Sequence, residues 1–409
     1  MTKKRYLLNA GLIGFLAITP LADVAQTTTK SPRVFVLNGV SLQDRKQKLS
    51  DPKSSDPTLR SALAKLERDA QKALKTEVLP ITAKTASPPS GDKHDYMTQA
   101  PYFWKNPDTK DGLPYIRKDG ERNPEIKNFP DHELLDKMKA SVETLATAYY
   151  FTDKEEYAAK AGDILRMWFI DPKTKMNPNL EYAQAIPGLN TGRGIGLIET
   201  RGLIELVDSI GLLNGSKGWT TTDQKGVETW FGQFLKWMSE SKNGKDESNS
   251  QNNHGSYYDA QIASFALFAG RADLAKTILE AAKQKRIAKQ IEPDGRQPLE
   301  LARTKSWSYS TMNLDGLVEL AELGDSVGVD LWNYQSSDGR SIRKAFDFLY
   351  PYAVGEKKWT YEQIEVFQPE RLFSLMRRAS GKFKDDKFQQ MMTKVPKVND
   401  SDVFNLLGH

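Results

Sequence analysis

The stretch Met138–Trp168, MKASVETLATAYYFTDKEEYAAKAGDILRMW, decides the fold class. Met138, Val142, Leu145 and Tyr149 follow steps of four, three and four, which sets their side chains on one face of a helix. After a polar turn over Phe151 to Asp153 the same steps recur at Tyr157, Ala161, Ile164 and Trp168, and Thr152 with Glu155 has capping-box spacing for the second helix. Two amphipathic helices on so short a connection make a hairpin. Each apolar stripe needs a further layer to cover it.

Outward from this hairpin the unit recurs. A helix over Ile195–Leu213 is expected to pair with one over Asp223–Ser239, and Ser256–Ala269 with Ala272–Lys289; single helices follow over Met312–Leu323, Ile342–Tyr352 and Pro369–Arg378. The sum is an all-α fold, an incomplete (α/α) toroid or barrel of helical hairpins. No length-matched repeat ties it to a known repeat family. Toward the N-terminus Val34, Phe35 and Val36 suit a short strand or an extended arm. Long Gly-, Pro-, Asn- and aromatic-rich connections at 86–130, 170–194, 240–255 and 291–311 are expected to line a binding site, since loops of that length in a compact domain are seldom idle.

The first residues read differently. Lys3, Lys4 and Arg5 precede an apolar run from Leu7 to Ile18 and small residues around Ala22 and Ala25, the pattern of a signal peptide over residues 1–25, followed by a catalytic domain over 26–409. With no cysteine there is no lipid-anchored Cys and no disulfide framework, so the expectation is a periplasmic or secreted protein; a monomer is expected separately. With 58 basic against 53 acidic residues the charge is not that of a nucleic-acid binder. Basic groups converging on one cleft would still draw in a polyanion.

Among the four histidines no pair has metal-ligand spacing and there is no HExxH, so neither a metal nor a cofactor is expected. His132 reads as a helix-start residue and His409 is terminal. His254 stands out in Gln251-Asn252-Asn253-His254-Gly255-Ser256-Tyr257-Tyr258, a polar run before a helix, where Asn and His also suit a cap. A second cluster, Pro298-Leu299-Glu300-Leu301-Ala302-Arg303-Thr304-Lys305-Ser306-Trp307-Ser308-Tyr309, crowds Arg, Lys, Trp and Tyr ahead of another helix. In the first long loop Tyr96, Tyr102, Phe103, Trp104 and Tyr115 set rings among Gly and Pro, suited to stacking on sugar faces or to packing the loop, and His94 stands beside them as a further candidate for substrate contact.

Together these segments resemble the alginate lyase superfamily of secreted helical polysaccharide lyases. The Asn-Asn-His segment of that family matches Asn252, Asn253 and His254, and its Glu-Leu-x-Arg…Tyr segment matches Glu300, Leu301, Arg303 and Tyr309. The stretch Ser90 to Tyr96, with Ala100-Pro101-Tyr102-Phe103-Trp104, is similar to its first substrate-facing loop. The resemblance runs from about residue 86 to 315 and departs in two places. The Arg303 to Tyr309 segment is one residue shorter than in the mannuronate-specific branch, and the aromatic pair after His254 is displaced by one, which leaves the polymer preference open.

The resemblance implies β-elimination on a 4-linked uronic-acid polymer, alginate, as the anionic polysaccharide partner. Such a reaction removes a weakly acidic C5 proton beside a carboxylate, so Asn253, His254 and Arg303 are expected to neutralise that carboxylate. Tyr309 is expected to take the C5 proton and protonate O4, with Arg303, Lys305 or His254 favouring its phenolate over a phenol of ordinary pKa about 10. In mannuronate and glucuronate both groups lie on one ring face and one Tyr suffices. In guluronate they lie on opposite faces, and His254 would be the base. Arg193, Arg201 and Arg296, with their planar forks, are further candidates for carboxylate binding, as are Lys305 and Trp307 for substrate contact. Three readings compete with alginate cleavage: a lyase for glucuronan, a two-carboxylate hydrolase drawing on Glu199, Glu300 or Asp315, and a binding protein without catalysis.

Overall fold

In the computed structural model residues 1–2, 31–54 and 56–408 are described, and the chain from Pro32 onward forms one unit. Beyond its first two residues the expected leader lies outside the described residues. The segment ahead of the first helix is neither a strand nor an extended arm but bends over Phe35 to Leu37, whose three N–H groups all donate to the buried carboxylate of Asp208.

Two helices come first that the expected hairpins do not include, α1 (Gly39–Ser50) and α2 (Pro57–Lys75), capped by Asn38 and Asp56. The long loop after them holds three short strands, β1 (Met97–Gln99), β2 (Phe103–Trp104) and β3 (Ile116–Arg117), of which β2 and β3 pair antiparallel. Next come α3 (Asp131–Thr152) and α4 (Glu155–Phe169), which bury the quoted apolar positions. Their junction corrects the capping box. α3 runs on through Thr152, whose hydroxyl donates back to the Ala148 carbonyl, and Asp153 ends the helix in the left-handed region at φ 55°.

β4 (Tyr182–Ala185) pairs parallel with β1, and the expected helix from Ile195 splits. A 3-10 turn over Gly194–Thr200 lies so tightly on β4 that a Cβ on Gly196 would fall 2.5 Å from that of Ala183, and α5 begins only at Leu203–Leu212. Then follow α6 (Thr221–Glu240), α7 (Lys242–Ser248) and α8 (Asn253–Phe268). The helix expected to run to Lys289 is broken by a π turn into α9 (Ala272–Ala282) and α10 (Ala288–Gln290). The chain ends in α11 (Pro298–Leu301), α12 (Ser306–Asp325), α13 (Ile342–Ala353), α14 (Glu370–Ala379), α15 (Asp386–Met392) and α16 (Phe404–Leu407).

Packing runs from α2 and α3 through α5 and α8 to α12 and α14, each against the next, while α4, α6, α9 and α13 lie against this inner row. That is the expected incomplete toroid. α8 and α12 are buried on nearly every side, as inner helices must be. Among the described residues no helix is long and apolar enough to cross a membrane.

Candidate active site

A cleft of about 710 Å³ opens where α8 and α12 begin, walled by the loop carrying β1 to β3, by β4 and by the turn before α5. Tyr102, Arg193, Arg201, Asn253, His254, Arg303 and Tyr309 all line it. The two segments singled out in sequence, 47 residues apart between Asn253 and Glu300, meet directly: the Asn253 N–H and amide both donate to the Glu300 carboxylate. Asn252 precedes α8 without a side-chain cap, so Asn253 and His254 form the first helical turn and not the lead-in to it.

His254 is held by a carboxylate. Its Nδ1 lies 2.7 Å from Oε1 of Glu247, which is 1% exposed on α7. With Nδ1 tied down, Nε2 is the ring nitrogen available to the cleft. Arg303 gives Nε and Nη2 to both oxygens of Asp119, at 3.0 and 2.7 Å, and stands over the Tyr309 ring. Burial raises the Asp119 carboxyl, but the hydrogen bonds and charge of Arg303 outweigh it and hold the group well below the usual range.

The Tyr309 phenol donates to the Tyr102 hydroxyl at 2.9 Å. Its acidity corrects the expectation of a favoured phenolate. Burial pushes the phenol far up, Tyr102 adds to this, and Arg303 pulls it down without prevailing. Arg193 is half-buried. It donates to the Gln184 side chain at 2.8 Å and has no carboxylate partner among the described residues; burial first, then nearby Arg117, lower it to about 10. Gln184 itself has φ 51°, a strained backbone of the kind that gathers at functional sites.

Other expected contacts fall elsewhere. Trp307 is 0% exposed, packs on Trp359 and Phe367 and donates to the Gln368 carbonyl, so it is core and cannot stack on a sugar. Tyr96 is equally buried, its hydroxyl anchoring Glu199. His94 is committed to the Lys175 carbonyl, and Trp104 to the Glu121 carbonyl. Because strand side chains alternate, Phe103 reaches the cleft and Trp104 does not. Arg296 is exposed and forked onto its neighbour Asp294. Lys305 pairs with Glu365 behind Tyr102.

The cleft also holds residues the sequence did not single out for it: Arg117, Arg122, Gln184 and His132 line it, and Glu247 supports it from behind. The two arginines stood in a loop already marked as functional. Nothing local marked Glu247. Of the carboxylates weighed for hydrolysis, Glu199 lines the cleft with one oxygen held by Tyr96 and Thr98, Glu300 is committed to Asn253, and Asp315 is paired with Arg378 and Tyr257. No cluster of three or more His, Asp or Glu able to hold a metal ion is found among the described residues.

A helical toroid whose cleft gathers Tyr, Arg, Asn and His is the architecture of the helical polysaccharide lyases. The family model for alginate lyase matches residues 80–359, and the chain belongs to the alginate lyase family. Among solved structures, an alginate lyase from Bacteroides ovatus is 39% identical with a TM-score of 0.87, over 92% of this chain and 99% of that one. Alginate lyase A1-III from Sphingomonas species A1 is 18% identical with a TM-score of 0.57, over 94% and 98%. A histidine variant of A1-III complexed with tetrasaccharide is 17% identical with a TM-score of 0.59, over 94% and 97%. A search of curated proteins finds no match.

Proposed function

We propose that this polysaccharide lyase cleaves alginate by β-elimination, leaving a 4,5-unsaturated uronate at the new non-reducing end. The observation that carries the reading is the meeting of Tyr309, Arg303, Asn253 and His254 in one cleft, with Arg193 and Arg201 further along it. Arg303, His254 and Asn253 neutralise the carboxylate of the uronate being cleaved. Arg193, Arg201, Arg117 and Arg122 hold neighbouring carboxylates and oppose their mutual repulsion.

On mannuronate Tyr309 exchanges protons. Its oxygen takes the C5 proton as its own proton passes to O4; the C5–H electrons become the C4–C5 double bond, and the C4–O4 bond breaks. A phenol held neutral suits such an exchange, because no free phenolate has to accumulate. On guluronate the C5 proton lies on the far face, and Nε2 of His254 takes it while Tyr309 remains the acid. The leader-like N-terminus supports action in the periplasm or outside the cell.

Purified enzyme on polymannuronate, polyguluronate and glucuronan, followed by ultraviolet absorbance, tests the reading. Absorbance from the conjugated double bond should rise, most on mannuronate-containing alginate. New reducing ends without that absorbance would establish hydrolysis; neither signal would leave a binding protein.

A further inference from the structure

Asn253 lines the cleft although the residue is 0% exposed. Its backbone N–H donates to Oε1 of Glu300 at 2.6 Å, and its Nδ2 donates to both carboxylate oxygens, at 3.0 and 2.8 Å. The amide nitrogen is thereby spent, while Oδ1 is buried with no hydrogen-bond partner among the described residues. In this orientation Asn253 has only an acceptor left to offer. A uronate carboxylate is itself an acceptor, so the two do not match.

Turning the amide would bring Nδ2 to the substrate and Oδ1 to Glu300. Two acceptors would then face each other unless the carboxyl of Glu300 carries a proton to donate. We propose that Glu300 takes up one proton as the uronate carboxylate binds, and that protonated Glu300 holds Asn253 turned, with Nδ2 donated to the substrate. Glu300 is thus a positioning residue, and the inference rests on the reading that Asn253 meets that carboxylate.

Burial favours the protonated form: Glu300 is 1% exposed, which raises its carboxyl, against the Asn253 hydrogen bonds and the charges of His254 and Arg303. His254 faces it from α8 and Arg303 from the turn after α11, with Glu247 behind His254 on α7 and Asp119 behind Arg303. An arriving second carboxylate raises it further, as it does wherever two acids share one site.

The test is calorimetric binding of a mannuronate tetrasaccharide to the Tyr309→Phe variant, which keeps the ligand intact, in two buffers of different ionisation heat at about pH 7.5. Uptake of about one proton per site is expected. Adding Glu300→Gln should abolish the uptake and leave affinity equal or tighter, because the glutamine amide donates to Oδ1 permanently and its oxygen still accepts from the Asn253 N–H. In the enzyme with Tyr309 intact, Glu300→Gln should keep kcat within about tenfold of the parent, and its KM should stop rising with pH. No uptake by the parent overturns the proposal and needs no Glu300 variant to fold. A folded Glu300→Gln enzyme that loses kcat more than about a hundredfold overturns it as well. Unchanged KM and kcat in Asn253→Ala would instead remove the reading of the cleft beneath it.

Discussion

The guanidinium carbon of Arg303 lies 3.8 Å from the centroid of the Tyr309 ring while the same group grips Asp119 through two nitrogens. Only a planar fork can cover a ring and span a carboxylate at once. Arg303→Lys should therefore fold and keep the charge, yet lose about a hundredfold in kcat, the scale of one lost electrostatic donor. Steady-state ultraviolet assays with thermal melts would check this, and a lysine variant near parental kcat would show that charge alone matters.

Tyr309→Phe keeps the ring under Arg303 and removes the hydroxyl that Tyr102 accepts from. Cleavage of every polymer should fall by about a thousandfold or more, with the fold unchanged by circular dichroism. Substantial residual turnover would assign the proton transfers to another group.

His254→Asn is expected to separate the two epimers. With Nδ1 on Glu247, only Nε2 can act as a base, and only guluronate calls for one. The variant should harm cleavage of polyguluronate, where that polymer is a substrate, far more than cleavage of polymannuronate. Equal losses on both would leave histidine no role beyond charge.

Arg193 is a half-buried cation without a carboxylate partner among the described residues, whereas Arg286, Arg303 and Arg378 are each paired with one. On the proposed reading its partner is a substrate carboxylate. Arg193→Met should raise KM by about tenfold or more with a smaller change in kcat. The melting temperature of the free enzyme should hold, since the cation removed is half-buried, has no carboxylate partner and is met only by the Phe103 ring and the Gln184 side chain among the described contacts. A lower melting point with unchanged KM would make Arg193 structural.

Asp208 carries the bend over Phe35 to Leu37. Burial raises its carboxyl to about 7, against the lowering effect of the Leu37, Phe35 and Val36 N–H groups. A folded value above the unfolded one means its contribution is fully present below pH about 4 and declines as pH climbs toward the folded value. Asp208→Ala should cost about 2–4 kcal/mol, expose the segment before α1 to proteolysis, and cost more at pH 5 than at pH 7.5 by urea unfolding. An equal cost at both would place the carboxyl's folded value near the unfolded one.

The hairpin of α3 and α4 was legible because α4 and the first half of α3 set buried positions at helical steps among polar residues, although Leu145 to Tyr149 of α3 are covered all round. Periodicity fades where burial is all round. α8 and α12 thus begin earlier than their patterns suggest, at Asn253 and Ser306 rather than Ser256 and Met312. The Asn-Asn-His and Glu-Leu-x-Arg…Tyr segments stood out locally only as polar, cap-like stretches, and the resemblance to the alginate lyase superfamily is what marked them as a candidate site. The aromatics were not. Trp307 and Tyr96 have the same local surroundings in sequence as Tyr102, and only tertiary packing decides which ring is covered. Glu247 escaped notice for a similar reason: its partner is set by how α7 turns back on α8, which no local pattern records.

That α8 and α12 both begin at the cleft has an electrostatic consequence independent of any side chain. Aligned peptide units leave about half a positive charge at the start of each helix, falling off within the first turn. Asn253 and His254 sit in that turn of α8, and Ser306 to Tyr309 in that of α12, so two backbone dipoles raise the potential in the part of the cleft to which the proposed mechanism assigns the uronate carboxylate. Side-chain substitution cannot delete this contribution. Some rate enhancement should therefore survive even when Arg303 is gone, and it belongs to the fold itself.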